Sequence, residues 1–154
     1  MQQYYFKQIA AAANKRLSVL TDGMFILRCK ESAEDRVHQS GLDLDVLDRS
    51  TGCWRDVSTL SGGESFLASL ALALGLSDVV QGQSGAIRME AMFIDEGFGM
   101  LDENALRNAL RVLNDLADGK RLIGIISHVQ ELEERIERQI VVSKTLRGST
   151  VAIV

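Results

Sequence analysis

Apolar and polar positions change rhythm several times along the chain, and each change marks an element boundary. Over residues 3–20, Phe6, Ile9, Ala13, Leu17 and Leu20 recur near helical spacing with no breaker between them, so this stretch predicts a helix that Thr21-Asp22-Gly23 ends. Met24–Cys29 predicts a strand, and residues 30–40 form a polar, charge-rich connector. Leu42, Leu44 and Val46 then alternate with Asp43, Asp45 and Asp48, the pattern of a half-exposed strand over 41–48. Arg49-Ser50-Thr51-Gly52 reads as a turn, with residues 53–57 returning as its hairpin partner. From Ser65 to about Val80 apolar residues occupy nearly every face of a helix, which predicts one buried between layers or covered by a partner. Gln81–Gly85 reads as a loop.

The second half is simpler. Ala91–Ile94 and Leu122–Ile126 are two apolar runs. Between them lies a helix to about Ala117, with Leu106, Leu110, Leu113 and Leu116 on one face and Gly119 as its stop. Strand–helix–strand with apolar strands predicts a parallel pair covered on both faces and joined by a right-handed crossover. Ligands of such sheets bind beyond the carboxyl ends of the strands. There stand Asp95-Glu96 and Ser127-His128, so neighbouring strands would bring two acids and a histidine to one rim. A short acidic helix from Gln130 to about Arg135 follows. A hairpin of residues 139–146 and 150–154 around Arg147-Gly148-Ser149 closes the chain.

Composition narrows this picture a little. A chain of 154 residues, 46% apolar and 25% charged, has the size and balance of one globular domain. A net charge of −4 gives no general attraction to nucleic acid or anionic lipid. Lys15-Arg16, Lys120-Arg121 and Arg135/Arg138 read as scattered surface charge. Cys29 and Cys53 lack metal-type spacing and read as reduced thiols. The N-terminal residues lack a basic region followed by an apolar core, which argues against a signal peptide. The apolar run Leu70–Leu76 is too short to span a bilayer. The expectation is a soluble, cytoplasmic chain with no membrane partner.

Three motifs carry candidate chemistry. Ser61-Gly62-Gly63-Glu64 is a capping box at a helix start, which accounts for Ser61 and Glu64. It leaves unexplained two glycines in a first helical turn, where each weakens the helix by about 1 kcal/mol relative to alanine. Glycines there let a phosphate approach backbone N–H groups at the positive end of the helix dipole. Asp95-Glu96 places two acids at the end of an apolar strand, where a desolvated carboxylate needs a cation or donors. Asp102 reads as a helix N-cap that also belongs to a functional loop. His128 is level with the acids, and His38 lies in a polar loop and reads as solvent-exposed.

Leu60-Ser61-Gly62-Gly63-Glu64, Phe93-Ile94-Asp95-Glu96-Gly97-Phe98-Gly99, Leu101-Asp102 and Ile126-Ser127-His128 occur in that order. Together they resemble the C-terminal lobe of SMC-like, ABC-type ATPases of the SbcC-like branch, large subunits of a DNA-repair nuclease complex. The likeness runs from about Val57 to the C-terminus, and residues 1–56 fit as well. The resemblance implies an α/β fold, the C-terminal half of a P-loop NTPase head with a parallel-sheet core, flanking helices and small antiparallel strands. It implies that residues 1–22 form the helix at the root of a returning coiled coil and residues 23–154 the lobe itself.

It implies, further, that Ser61, Gly62, Gly63 and Glu64 are the signature that contacts ATP held by an opposing subunit. Asp95 would be the Walker B acid on Mg2+, Glu96 the catalytic base, Asp102 part of the D-loop and His128 the switch histidine. Implied partners are an N-terminal Walker A lobe, a second copy of the head, an SbcD-like nuclease subunit and DNA. One departure matters: the sequence contains no Gly-x-x-x-x-Gly-Lys-Ser/Thr, so the phosphate-cradling loop is absent and the chain alone is expected to be inactive. Two other readings stand beside this one: a non-catalytic interaction module on the same fold, and another SMC-like ATPase of the cohesin or RecF kind.

Overall fold

A computed structural model describes residues 2–30, 43–84, 89–119, 121–146 and 148–154. Helix α1 (Gln2–Leu20) buries Ala10, Ala13, Leu17 and Leu20, as the helical spacing predicts. The chain leaves α1 through Asp22 and Gly23, both at positive φ, and enters β1 (Phe25–Cys29). Asn14 of α1 then grips the strand at its middle. Its side-chain amide donates to the Leu27 carbonyl at 2.8 Å, and its side-chain oxygen accepts from the Leu27 N–H at 2.8 Å. That pairing satisfies the free edge of β1 from the helix side.

β2 (Leu44–Asp48) and β3 (Cys53–Asp56) complete an antiparallel sheet in the order β1-β2-β3. Asp48 closes the β2–β3 turn by accepting from the Ser50 N–H and hydroxyl, and Gly52 supplies the positive φ. The predicted hairpin is therefore observed. The predicted connector over residues 31–40, Gly41-Leu42 and the exposure expected of His38 lie outside the described residues.

Helix α2 (Gly62–Ser84) starts three residues earlier than its apolar run and absorbs most of the predicted loop at 81–85. Gln81 keeps the helix going by donating from Nε2 to the buried Ser77 hydroxyl at 3.0 Å, and Gly82 alone does not break it. Over Gly62–Gly82 this helix is long and apolar enough, by length and composition, to cross a membrane, which the short run Leu70–Leu76 does not reveal. Its surroundings are those of a core helix. Buried Leu67, Leu70, Ala71 and Leu74 belong to the cluster that also holds Leu17 and Leu106. At Gly75 an added Cβ would lie 2.6 Å from the Ala13 nitrogen and 2.8 Å from the Ile9 carbonyl oxygen. The two helix backbones therefore touch at that crossing.

β4 (Ala91–Asp95), α3 (Glu103–Asp118) and β5 (Leu122–Ile126) form the predicted strand–helix–strand unit. The strands are parallel and in register from Ala91↔Leu122 to Asp95↔Ile126. α3 turns Leu106, Ala109, Leu110, Val112, Leu113 and Leu116 into the core. The expectation of a sheet covered on both faces is not met among the described residues. Met92 and Ile94 pack against the core, but Phe93 is 69% exposed, Leu122 63% and Ile126 56%. The open face includes Gly124, across which the Phe93 ring lies so closely that a Cβ there would meet it at 2.4 Å. α4 (Gln130–Glu133), two residues shorter than predicted, places Leu132 in the core, and β6 (Ile140–Thr145) with β7 (Gly148–Ile153) forms an antiparallel ribbon exposed along its whole length.

The charge pairs are less scattered than their sequence positions imply. Arg16 of α1 and Arg121 at the start of β5 both reach Asp78 of α2, at 3.2 and 3.5 Å. Three elements thus meet on one carboxylate, and Arg121 also contacts the Ser77 hydroxyl at 3.3 Å. Lys120 lies outside the described residues.

Candidate functional site

Strand alternation decides where Asp95 points. Met92 and Ile94 face the core, so Ala91, Phe93 and Asp95 face outward, and Asp95 is exposed rather than desolvated. The expectation of a buried acid at this strand end is therefore corrected. Glu96 continues the pairing by one bond, its N–H donating to the Ile126 carbonyl at 2.8 Å. The backbone then swings into the left-handed region, with φ of 58° at Glu96 and 97° at Gly97. For glutamate this conformation is costly, and such residues persist where their surroundings hold them.

The rim expected from the sequence is present. His128 follows the end of β5, and its Nδ1 lies 3.0 Å from the Glu96 carboxylate. The imidazole is 84% exposed and the glutamate side chain 46%. The hydrogen bond to Glu96, together with its negative charge, holds the His128 pKa above the usual imidazole value. The pair is a carboxylate oriented by an imidazole at the open end of a parallel strand pair, an arrangement able to align and deprotonate a water.

Beyond Gly97 a single 3-10 turn, Phe98–Met100, leads to Asp102. Phe98 is 1% exposed and anchors the turn in the core. Asp102 caps α3, its Oδ1 accepting from the Ala105 N–H at 2.8 Å, as the capping reading predicts.

At the start of α2 the capping box is also formed. The Ser61 N–H donates to Glu64 Oε2 at 2.8 Å, and the Glu64 N–H donates to Ser61 Oγ at 3.3 Å. The two glycines have a packing reason that the sequence did not show. A Cβ on Gly62 would stand 2.7 Å from Met100 Sδ, and one on Gly63 would stand 2.6 Å from the Met100 carbonyl oxygen. Ser61-Gly62-Gly63 and the turn before Asp102 therefore press directly on one another. Arg55 of β3 buttresses the same corner, donating to the Thr59 carbonyl at 2.9 Å and approaching Glu64 at 3.8 Å.

Phe66 and Met100 are the contributors that sequence reasoning missed. The available signal was an aromatic two residues after Glu64 and a run rich in glycine, Gly97-Phe98-Gly99, ending next to Met100. A separate hollow of about 740 Å3 lies between α1 and β1, lined by Lys7, Asn14, Arg28, Lys30 and Asp45. It shares no residue with the rim.

The donor set can be tested against Mg2+ and a nucleotide. Among the described residues no three His, Cys, Asp or Glu side chains converge as a metal cage. Asp95 offers one outward carboxylate beside the Glu96–His128 pair, and Ser61, Gly62 and their helix N-terminus are open to solvent. Mg2+ characteristically takes one or two carboxylates and completes its shell with water and phosphate oxygens. The residues present fit half of such a site.

A family model described as "SbcC/RAD50-like, Walker B motif" matches residues 32–115. The SbcC subunit of the SbcCD nuclease of Vibrio cholerae is 53% identical over 142 residues, which is 92% of this chain and 14% of the relative. The chain thus spans about one seventh of that relative's length. Among solved structures, a chain from work on ATP-driven dimerization and DNA-stimulated activation of SMC ATPases superimposes with a TM-score of 0.73 at 16% identity, over 99% of this chain and 87% of that one. The Smc head domain with an extended coiled coil from Pyrococcus furiosus gives a TM-score of 0.70 at 18% identity, over 98% of this chain and 35% of that one. These likenesses show the fold alone, the α/β fold of an SMC head domain. The ordered motifs, the rim they build and the matched family segment lead to one conclusion: the chain belongs to the SbcC/RAD50-like family.

Proposed function

We propose that this chain is the hydrolysing C-terminal lobe of a DNA-repair ATPase head, with residues 1–22 at the root of a coiled coil and residues 23–154 forming the lobe. The observation that carries the reading is the Glu96–His128 contact of 3.0 Å at the carboxyl ends of two parallel strands, beside the outward carboxylate of Asp95. Glu96 acts as the base that orients and deprotonates an attacking water, and His128 keeps its carboxylate aimed. Asp95 is the residue that would hold Mg2+. When bound, the ion neutralises charge on the phosphates. Ser61, Gly62, Gly63 and Glu64 present the start of α2 to ATP held by a second copy of the head, with Asp102 in the loop that crosses between copies.

The missing Gly-Lys-Ser/Thr loop belongs to an N-terminal lobe. The open face of β4 and β5, with Phe93, Leu122 and Ile126, is the surface on which that lobe would pack. An SbcD-like nuclease subunit is a further partner, on the strength of the relative named as part of the SbcCD nuclease, and DNA is another, on the strength of the neighbour from work on DNA-stimulated activation of SMC ATPases.

The test is ATP turnover by this chain mixed with the N-terminal segment of its own reading frame, with and without Glu96→Gln. The expected outcome is no turnover alone, turnover on mixing, and near-complete loss in the substituted chain. A mixture that forms a complex yet stays inert, or a substitution without effect, would replace the enzyme with an interaction module on the same fold.

A further inference from the structure

We propose that Phe66 is the positioning residue for Glu96. Its ring, projecting from α2, presses on Gly97 and holds the turn from which Glu96 reaches His128. The contact is backbone-close: a Cβ on Gly97 would stand 2.2 Å from Phe66 Cε2 and 2.3 Å from Cδ2, so the ring lies directly against the Gly97 α-carbon. The ring is itself held. It meets Phe98 edge-to-face, with centroids 5.0 Å apart and planes at 67°, and Phe98 is anchored in the core. Glu96 and Gly97 are consecutive residues at positive φ, a conformation that glutamate adopts only where something opposes its relaxation. Phe66 is the side chain placed to do that.

Phe66 lies two residues beyond Glu64, on the same first turns of α2 that carry the capping box. A second contact runs alongside, where Gly62 and Gly63 receive Met100. The start of α2 and the segment 96–101 therefore interlock at Gly62, Gly63 and Gly97. This gives the two halves of the lobe's chemistry a shared mechanical part. Whatever grips Ser61-Gly62-Gly63 from outside bears, through Phe66, on the glutamate of the same chain. The catalytic consequence rests on the assignment of Glu96 as the base.

The test uses the ATPase assembled from this chain and its N-terminal Walker A lobe, and compares Phe66→Leu, Phe66→Met and Phe66→Tyr. Leucine and methionine, the latter close to phenylalanine in volume but flexible, are each expected to lower kcat about tenfold or more while KM for ATP changes less than about twofold. Tyrosine, which keeps the ring, is expected to restore kcat to within about twofold. In a Glu96→Gln background, Phe66→Leu is expected to produce no further loss of residual turnover, because its effect passes through Glu96. An equal loss in both backgrounds marks a general packing defect and overturns the proposal, as does unchanged kcat with leucine and methionine.

If Glu96→Gln is itself without effect, the assignment of the base fails. The positioning contact is then read from the His128 imidazole nitrogen shifts in the same assembly. Phe66→Leu is expected to give the Glu96→Gln signal and Phe66→Tyr the wild-type one. A wild-type His128 signal in Phe66→Leu overturns the proposal whatever the turnover does.

Discussion

Glu96 and His128 are an exposed pair, and their coupling is a matter of protonation state more than of stability. The carboxylate raises the His128 pKa, so any contribution of the pair to folding is fully present below the imidazole's unfolded value and fades as pH rises through the folded one. The expected result of a proton-detected titration is a His128 midpoint above the ordinary value of about 6.5, moving down in Glu96→Gln. A midpoint that stays in place on substitution would show that the contact is not formed in solution.

At this scale the sequence was informative where chemistry follows strand ends, and silent where it follows shape. Asp95, Glu96 and His128 could be placed at one rim because parallel strands end together. The reason for Gly62 and Gly63 could not be read, since it is Met100, nearly forty positions away, that occupies the space a Cβ would need. The role of Phe66 could not be read for the same reason: its position two residues after Glu64 was visible, but its approach to the Gly97 backbone was not.

Two of the four glycines in helix α2, Gly75 and Gly82, have opposite consequences. Gly75 sits where the backbone of α1 passes, and its added methyl group would meet main-chain atoms that cannot move aside. Gly75→Ala is expected to destabilise by about 1–3 kcal/mol through overpacking, even though alanine is the better helix former. Among the described residues, Gly82 has nothing within 4 Å of its would-be Cβ. Gly82→Ala is expected to stabilise by about 0.5–1 kcal/mol through propensity alone. Denaturant midpoints of the two variants settle it, and shifts of the same sign would refute the close crossing.

The elements themselves were largely legible, because α1, α3 and both hairpins carry clean periodicities and turn residues. The end of α2 was not. Gln81-Gly82 looks like a loop until Gln81 is seen to bond the buried Ser77 hydroxyl. Nor was the convergence of Arg16 and Arg121 on Asp78 legible, since no local pattern links residues on three elements.

Over the whole molecule, the parallel pair was predictable, and the absent Walker A lobe already implied exposed apolar surface, but which face stays open was not legible. An apolar strand reads the same whether its second cover comes from this chain or from another. Here Phe93, Leu122 and Ile126 stay open on one sheet, and Ile140, Val142, Val151 and Ile153 on the ribbon. Such contiguous apolar surface is uncommon on a monomer. The chain alone is expected to bind a hydrophobic dye and self-associate. Phe93→Thr with Ile126→Thr is expected to reduce both and to weaken complex formation with the Walker A lobe. Light scattering and dye fluorescence that are unaltered by the double substitution would place the sticky surface elsewhere.

The open face also changes what a melting temperature of this lobe means. If a second lobe binds the folded chain there and not the unfolded one, mass action adds to stability as the logarithm of that lobe's concentration, about 2.7 kcal/mol at a hundredfold excess over Kd. The stability of the fold is then a property of the mixture, and comparisons between variants hold only at a fixed concentration of the other half.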